Sequence, residues 1–553
     1  MKHSLSNELK NSSVDRFLLF IVIVLLNLVS IRGFVRFDLT SQKTYSLSKA
    51  SKDMVKHLEA PLSIKIFFSK NLPAPYSSVE QYLTDLLSEY KANGSGNFSY
   101  QAYDMSKEQN QRIAQEYGLS PVQVDTLETA GFTSKIAWMG VAITYGDYIA
   151  AIDALKTTAD LEYKITTTIS KIIAAQDSKA QTFFEIGYIT GHHENELRAN
   201  PYADSYLNTG AGNYSSLLSD IYSIRQINLS QEDIPENIKC IVINGPKDTI
   251  PEEQLRKIDS FILNGGNVAF YVDPLDEFTP QANELPVYLP NESHITDLLS
   301  GYGINIGNYY VLDNNCFTQN QSGYGKQLLN WVPVIEKNGT PKKNPITDNL
   351  GGILFFCNGP IDISKIEENP DLKTTVLAKT SSNSWITDEN IILYPGAMLP
   401  GQNEQFKSQN IAVLSEGKFT SSFNPSVKGT KNARIVVISS SACTTDILID
   451  KDGISPTSMF NRNVIDYLNN NDDFCTMRTK GQRLDFISIK NERSALIVKL
   501  LNQFGLAVAV ILIGFIVWRM RLAKRYIIQK RYNPEDTRTI KKDSKKENHG
   551  DNK

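Results

Sequence analysis

The chain has 553 residues, of which 41% are hydrophobic and 21% charged, which is enough apolar material for two or three folded domains. The formal net charge of −3 conceals a strong asymmetry, because residues 36–492 carry −14 while residues 519–553 hold twelve basic and five acidic groups. An acidic body is unsuited to nucleic acid, which is bound through clustered Lys and Arg side chains.

The first apolar run covers 17–31 and reaches the length of a membrane span, about 20 residues, only with its flanks. It predicts a transmembrane helix at 17–35 after a short cytoplasmic N-terminus at 1–16. A cleaved signal peptide is the alternative, since a basic start and an apolar core suit that pattern. No small-x-small cleavage site follows in RGFVR, so an uncleaved anchor is favoured.

Residues 36–175 are predicted to form a first extracytoplasmic α/β domain. A strand, a helix and a second strand follow one another, which favours parallel strands joined by a right-handed crossover. Two later strands are separated only by Gly146 and Asp147, as in a hairpin. The predicted helices are 49–58, 79–90 and 160–175, and the predicted strands are 64–68, 98–103, 140–145 and 148–152.

Residues 176–300 are predicted to form a second α/β domain. Pro251, Glu252 and Glu253 suit the first turn of a helix, and the Gly265–Gly266 pair suits its end. The predicted elements are strands at 182–189, 223–228, 238–244 and 267–272 and a helix at 251–264.

The pattern loosens at 301–492 into Pro-, Asn- and Gly-rich segments with short strands. This part either completes the second sheet or forms a third domain, and the sequence leaves both open. Its clearest elements are strands at 352–356, 411–414 and 434–439 and a helix at 457–468.

A second transmembrane helix is predicted at 496–518, followed by a basic tail at 519–553. The positive-inside rule places this tail in the cytoplasm, and two spans then place the N-terminus there too, with the large central part outside. A buried core helix is the alternative, which Lys499, Asn502 and Gln503 weakly support. The dense basic segment after Trp518 favours the membrane.

One cluster of polar residues suggests chemistry. GHHENE follows the strand predicted at 182–189, and α/β folds place ligands at the tips of parallel strands. Its His192, His193, Glu194 and Glu196 are candidates for a metal site or a hydrolase. The spacing is not His-Glu-x-x-His, and no further ligand is evident, so a polar loop or an interface is the favoured interpretation.

Motifs of other catalytic classes are absent from the sequence. No G-x-x-x-x-G-K-[ST] loop exists to hold ATP, and no Cys or Ser follows the strand that ends at Asn244. Ser441 and Cys443 follow another strand but lack the glycines of a nucleophile elbow. The five cysteines are widely spaced without a Cys-x-x-Cys pair, which argues against a disulfide scaffold or a zinc ribbon. We therefore expect no enzymatic activity and no metal or cofactor.

Five segments form an ordered set along nearly the whole chain. They are RFDLTSQKTYSLS at 36–48, GYITGHHENE at 187–196, INGPKDTIPEEQLRKIDSFILNGGNVAFYVDP at 243–274, SMFNRNVIDYL at 458–468 and MRTK at 477–480. Together with the two end helices they resemble the Gldg family, the auxiliary component of an ABC-type transport system associated with gliding motility.

The resemblance implies a non-catalytic subunit of the bacterial inner membrane that works beside a separate permease and an ATPase, which alone binds ATP. It also implies α/β domains similar to intraflagellar-transport-like and amidotransferase-like folds. An envelope protein or a glycan is a further candidate partner, and nucleic acid is not. The alternative function is a membrane-anchored hydrolase or glycan-binding enzyme that uses the His192 cluster.

Polar and basic residues of the two predicted spans are candidates for contact with the permease and with lipid. These are Asn27, Ser30, Lys499, Asn502, Gln503, Arg519, Arg521, Lys524 and Arg525.

Overall fold

The structure is a computed structural model with two units, residues 1–483 and 484–553. It describes residues 18–22, 24, 46–70, 72, 76–128, 131–158, 160–176, 184–203, 205, 207, 209–280, 284–321, 325–388, 391–402, 404–479 and 492–532. Most of the first predicted membrane span at 17–35, with Asn27 and Ser30, therefore lies outside the described residues. Residues 18–22 and 24 of that span are helical.

Helices and strands alternate along the first unit. The helices of the described chain are α1 (Lys49–Lys56), α2 (Tyr76–Asn93), α3 (Glu108–Glu116), α4 (Leu161–Gln176), α5 (Gly212–Ser219), α6 (Glu252–Leu263), α7 (Ile295–Gly301), α8 (Ser364–Glu367), α9 (Pro456–Leu468), α10 (Asp472–Thr479) and α11 (Glu492–Tyr532). The first strands are β1 (Leu62–Phe68), β2 (Phe98–Asp104), β3 (Val122–Glu128), β4 (Gly131–Ala137), β5 (Met139–Tyr145), β6 (Tyr148–Ile152), β7 (Glu185–Thr190), β8 (Ser223–Asn228), β9 (Cys240–Asn244), β10 (Asn267–Tyr271) and β11 (Leu275–Phe278).

The later strands are shorter and more irregular. They are β12 (Val287–Pro290), β13 (Asn305–Ile306), β14 (Tyr310–Asp313), β15 (Cys316–Gln321), β16 (Gly325–Ile335), β17 (Ile353–Leu354), β18 (Ile361–Asp362), β19 (Leu372–Lys379), β20 (Ser384–Thr387), β21 (Asn410–Gly417) and β22 (Ala433–Ile438).

A small sheet in the order β2-β1-β5-β6 forms the N-terminal part of the first unit. β1 and β2 are parallel with α2 between them in the chain, and β5 and β6 form an antiparallel hairpin, so the predicted parallel pairing and the predicted hairpin are confirmed. The apolar residues of β1 and α2 meet in one core, with Ile64, Ile66 and Leu83 almost fully buried. β3 and β4 form a separate hairpin that the sequence analysis did not predict.

A larger sheet has the order β19-β21-β22-β10-β9-β7-β8. β8, β7, β9, β10 and β22 are parallel, whereas β21 and β19 are added antiparallel at one edge. If these five parallel strands are numbered by their order in the chain, they lie across the sheet as 2-1-3-4-5. The chain therefore adds strands on one side of β7 first and then on the other, and the switch point lies between β7 and β9. Three of the described strands from 301–492 thus complete the sheet of 176–300, with β22 paired directly to β10, whereas the other described strands of 301–492 form the separate small sheets β13-β18, β14-β20 and β15-β16-β17.

Helices cover both faces of this sheet, as expected for parallel strands. β9 is buried along its whole length because its alternate side chains enter two cores. Val242 packs on the side of α5 and α9 with Phe460, and Ile243 packs on the side of α6 and α7 with Ile258. The predicted helix at 251–264 is confirmed as α6, with Pro251 at its N-cap.

A buried polar junction joins the small sheet's α4 to α9 and α10. The Arg478 guanidinium is 1% exposed and donates to the Asp466 carboxylate, the Tyr163 hydroxyl and the Asn463 side-chain oxygen. Next to Tyr163 in the first turn of α4, the Glu162 carboxylate accepts hydrogen bonds from the backbone N–H of Ser48, the N-cap of α1, and from the Ser51 hydroxyl in α1. Segments near both ends of residues 46–479 therefore form hydrogen bonds to the same helix, α4.

The second unit contains α11, which is 41 residues long. The stretch Asn502–Ile528 contains an 18-residue window with a mean hydropathy of 2.1, and among the described residues α11 is the helix long and apolar enough to cross a membrane by length and composition. The predicted span at 496–518 lies within α11. The helix then continues beyond Trp518 to Tyr532.

Candidate functional site: a polar cleft at the switch point

A cleft of about 1100 Å³ opens where β7 and β9 end, at the point where the strand order reverses. The crevice outside the carboxyl ends of the strands at such a switch point is the usual ligand site of open α/β sheets. Its lining is mostly polar and includes Thr190, Asn195, Glu196, Gln226, Lys247 and Asp248.

Tight backbone turns allow the loops to leave the strands at this edge. Gly191 follows β7 with a φ of +119°, a conformation that L side chains rarely adopt. Gly245 follows β9 with a φ of +65°, and a Cβ atom there would lie 2.5 Å from Ser441 Oγ. Both glycines are therefore required by the geometry of the rim.

The floor of the cleft is a buried network of neutral polar groups. The Asn244 side chain donates to Tyr188 Oη at 3.0 Å and to Thr444 Oγ1 at 2.8 Å. Tyr188 Oη in turn donates to the Asn195 carbonyl at 2.5 Å, and the Asn195 side chain donates to the Ser441 carbonyl at 3.3 Å. These bonds hold the loop after β7 against the ends of β9 and β22.

His192 and Glu194 form a buried pair within this loop, and Glu194, His193 and Glu196 line the cleft whereas His192 does not. The Glu194 carboxylate accepts the His192 backbone N–H at 2.8 Å and lies 3.1 Å from Nδ1. The hydrogen bond to Glu194 raises the pKa of His192, while burial opposes the shift. The His192 carbonyl accepts the backbone N–H groups of Lys247 and Asp248, which connects the two loops across the switch point.

The other candidate ligands form exposed pairs with different partners. His193 Nδ1 lies 2.6 Å from Asp248 Oδ2, and Arg198 Nε donates to Glu196 Oε2 at 2.6 Å. Across the described residues, no group of three or more His, Cys, Asp or Glu side chains is arranged to hold a metal ion. The four candidates from the GHHENE segment are thus divided among separate pairs, and each pair has its own structural partner.

Carboxylates occupy the two helix N-termini next to the cleft. The Asn213 N–H in the first turn of α5 donates to Asp446 Oδ1 at 2.7 Å. The first turn of α6 carries Glu252 and Glu253. A phosphate group would meet negative charge at the N-termini of both α5 and α6, where the helix dipole otherwise favours an anion. The lining of the cleft itself carries both signs of charge, with Glu194 and Glu196 as well as Arg198 and Lys247, beside its amide and hydroxyl groups.

The Ser and Cys residues that follow β22 have structural contacts. Ser441 Oγ donates to Asp273 Oδ2 at 2.6 Å, and the Ser441 N–H donates to Oδ1 of the same carboxylate at 2.7 Å. Burial raises the pKa of the Cys443 thiol to about 12, which keeps it protonated and weakly nucleophilic. Neither residue is activated for covalent catalysis in this arrangement.

The candidate membrane and partner residues of the second unit all lie on α11. Their described side chains are exposed, and the basic ones continue the same helix without a break. These are Lys499, Asn502, Gln503, Arg519, Arg521, Lys524 and Arg525.

Sequence reasoning missed several residues that line or support the cleft. Gln226 lies on β8, which becomes a neighbour of β7 only through the sheet order, and Asp446 reaches α5 from more than two hundred residues away. Lys247 and Asp248 directly follow β9, so the rule that ligands bind at strand ends could have found them.

The fold is that of an α/β protein with a polar cleft at its switch point. A family model described as an ABC-type uncharacterized transport system, the auxiliary family ABC_transp_aux, matches residues 185–477, which is over half of the chain. The chain belongs to this family. A second model, a domain of unknown function (DUF7088), matches residues 41–144 and covers most of the small-sheet part. No curated protein gives a significant match.

Similar solved structures include the mmIFT52 N-terminal domain, which has 15% identity and a TM-score of 0.31 over 51% of this chain and 96% of that chain. Another is a protein described as thua-like from Parabacteroides merdae, with 13% identity and a TM-score of 0.22 over 46% of this chain and 78% of that chain. Both TM-scores are too low to show a shared fold.

Proposed function

We propose that this chain is a non-catalytic, membrane-anchored accessory subunit of an ABC-type transport system, with its α/β body outside the cytoplasmic membrane. The observation that carries the proposal is the family match over 185–477 in a chain that continues into the hydrophobic helix α11. A separate permease and ATPase supply transport and ATP hydrolysis, and the chain couples them to a substrate or an envelope partner. A role in gliding motility belongs to this proposal where the host glides.

The basic residues of α11 support the orientation. Arg519, Arg521, Lys524 and Arg525 follow the apolar part of the helix, and such residues remain on the cytoplasmic side. Together with the first span predicted at 17–35, this gives a two-pass topology with both termini in the cytoplasm.

Cysteine labelling tests this orientation. The native cysteines are all buried in the described structure, so background labelling is expected to be low. In spheroplasts, a membrane-impermeant maleimide should label Tyr202→Cys, where the native side chain is 91% exposed, and should reach Ser544→Cys only after permeabilisation. Immediate labelling of the Ser544→Cys variant would reverse the proposed topology.

Purification of the tagged full-length chain from its native host in mild detergent tests the complex. A permease and an ATPase are expected to copurify with it. The matched control is a tagged, exported fragment of residues 46–479, which lacks both predicted membrane segments and should lose these partners. Absence of both partners from the full-length sample across several detergents would reject the proposal.

Glycan binding at the cleft is a second candidate function, favoured by the amide and hydroxyl groups of its lining and by the pairing of His193 with Asp248 and of Arg198 with Glu196. A glycan array probed with the detergent-solubilised full chain would test it. Binding should weaken in a Gln226→Ala variant and persist in an Ile136→Ser variant, which changes an exposed residue of β4. A hydrolase would instead release products from the bound glycan.

A further inference from the structure

The β11–β12 hairpin has two chemically different faces. Its inner face packs on the body through Leu275, which is buried, and Tyr288, whose ring lies 5.6 Å from that of Tyr310. The register pairs Phe278 with Val287. Because side chains alternate between the two faces of a strand, Phe278, Val287 and Leu289 share the outer face.

This outer face is apolar and exposed to solvent. Phe278 is 56% exposed, Val287 45% and Leu289 51%. Single exposed apolar residues are ordinary, but neighbours on one strand face form a continuous patch, and such patches mark interaction sites. Among the described strands, β11 and β12 pair only with each other, so both are edge strands of this small sheet.

Two exposed acidic residues flank the patch. Glu284 and Glu292 lie beyond the two ends of β12, and residues 273–292 contain no Lys, Arg or His. Asp276 lies directly across from Leu289 in the strand pairing, where it is half-buried and accepts from the Asn291 side chain. The other two carboxylates of this segment are bonded elsewhere, Asp273 to Ser441 and Glu277 to Ser205. The surface is therefore apolar at its centre and negative at its rim, which is the arrangement of a protein interface with polar edges.

We propose that the outer face of the β11–β12 hairpin is a docking surface for a protein partner that presents apolar side chains flanked by Lys or Arg. The charge pattern selects this chemistry, because opposite charges around an apolar contact steer and orient association. The hairpin follows β10 at the carboxyl edge of the large sheet. This docking surface does not depend on the accessory function proposed for the chain.

Two other occupants are disfavoured by the same charges. A second copy of this chain would bring one acidic rim against another, and like charges at an interface are costly. Pro286 directly precedes β12 and Pro290 is its last residue. Neither has a backbone N–H group, which limits edge-to-edge pairing between copies. A membrane surface rich in anionic lipid would repel the rim as well.

Site-specific photocrosslinking in cells that make the full-length chain tests the proposal. The photoreactive residue p-benzoyl-phenylalanine is placed at Leu289 and, as a matched control, at Ile136, which is 79% exposed on β4. Position 289 should give a discrete protein adduct that position 136 does not. Mass spectrometry of the adduct should identify a partner peptide with Lys or Arg beside apolar residues.

Charge reversal then separates docking from incidental capture. Glu284→Lys with Glu292→Lys is expected to reduce the adduct at position 289 at least tenfold, while the thermal unfolding of the purified chain stays the same. The proposal is overturned by no adduct in a folded chain, by an adduct that survives charge reversal, or by a partner peptide without basic residues. An adduct to a second copy of the chain or to lipid would assign the surface to that occupant instead.

Discussion

At the residue scale, His192 and Glu194 brace the loop that forms the rim of the cleft. One carboxylate oxygen accepts the His192 backbone N–H and the other lies beside Nδ1 of the same histidine, so both Glu194 oxygens already have a partner within the loop. The His192 carbonyl is bonded to Lys247 and Asp248 in the neighbouring loop. A histidine that looks like a metal ligand in the sequence therefore shapes the site without lining its surface.

Replacing Glu194 with Gln should lower the pKa of His192, because it removes the carboxylate that raises it. A protonated His192 stabilises the native chain fully below the unfolded pKa of about 6.5, and this contribution is lost as the pH rises through the higher folded pKa. Glu194→Gln should reduce this pH dependence of thermal unfolding. NMR titration of the imidazole measures the shift directly, and Glu196→Gln, at an exposed carboxylate, is the control. An unchanged His192 titration in Glu194→Gln would contradict the assignment.

At the element scale, α10 connects the parts of the first unit. Arg478 reaches Asp466 and Asn463 on α9 and Tyr163 on α4, and its guanidinium also stacks 4.1 Å from the Tyr163 ring centroid. Ser51 Oγ on α1 lies 3.4 Å from Met477 Sδ on α10. Movement of α10 would therefore be transmitted to both sheets together.

Arg478→Met is expected to destabilise the chain by about 3–5 kcal/mol, because it leaves the buried Asp466 carboxylate without its cation. The double variant Arg478→Met with Asp466→Asn should recover much of that loss, since no uncompensated charge remains. Denaturant unfolding of the detergent-solubilised chain measures both. The same change at the exposed Arg198 should leave stability unaltered. A single and a double variant of equal stability would show that charge pairing is not what holds α10.

At the scale of the whole molecule, charge and hydrophobicity are separated along the chain. The central part is acidic and contains the described cores, whereas α11 is apolar and then basic. The described large-sheet cores are built from residues between 163 and 477, and none of their members belongs to α11. The described large-sheet cores are therefore complete without any residue of α11.

A fragment of residues 46–479 is expected to fold alone and to remain in the supernatant after ultracentrifugation. Its near-UV circular dichroism should match that of the full-length chain after allowance for Trp518 on α11, because the buried aromatic residues of the body are retained. Recovery of the fragment in the membrane pellet, or loss of its near-UV signal, would show that the body needs the remaining segments. A full-length sample extracted from membranes is the reference.

Local signals in the sequence predicted many of the elements. α6 was predictable because Pro251, two acids and a glycine pair mark its ends, and β9 and β10 because they are short apolar runs. α10 and the β11–β12 hairpin were missed. Their sequences lack a strong period, and their stability comes from contacts with distant residues such as Tyr163 and Tyr310.

By itself, the sequence determined the mixed α/β class, the hydrophobic C-terminal helix and the acidic body with its basic tail, because composition and short-range periodicity encode these properties. Only the tertiary structure decided that β8 lies outside β7, so that the strand order reverses beside Thr190 and opens a cleft there. It also decided that His192 turns to Glu194 while His193 pairs with Asp248. Strand order and long-range pairing depend on how separate elements pack, and a local pattern of residues does not carry that information.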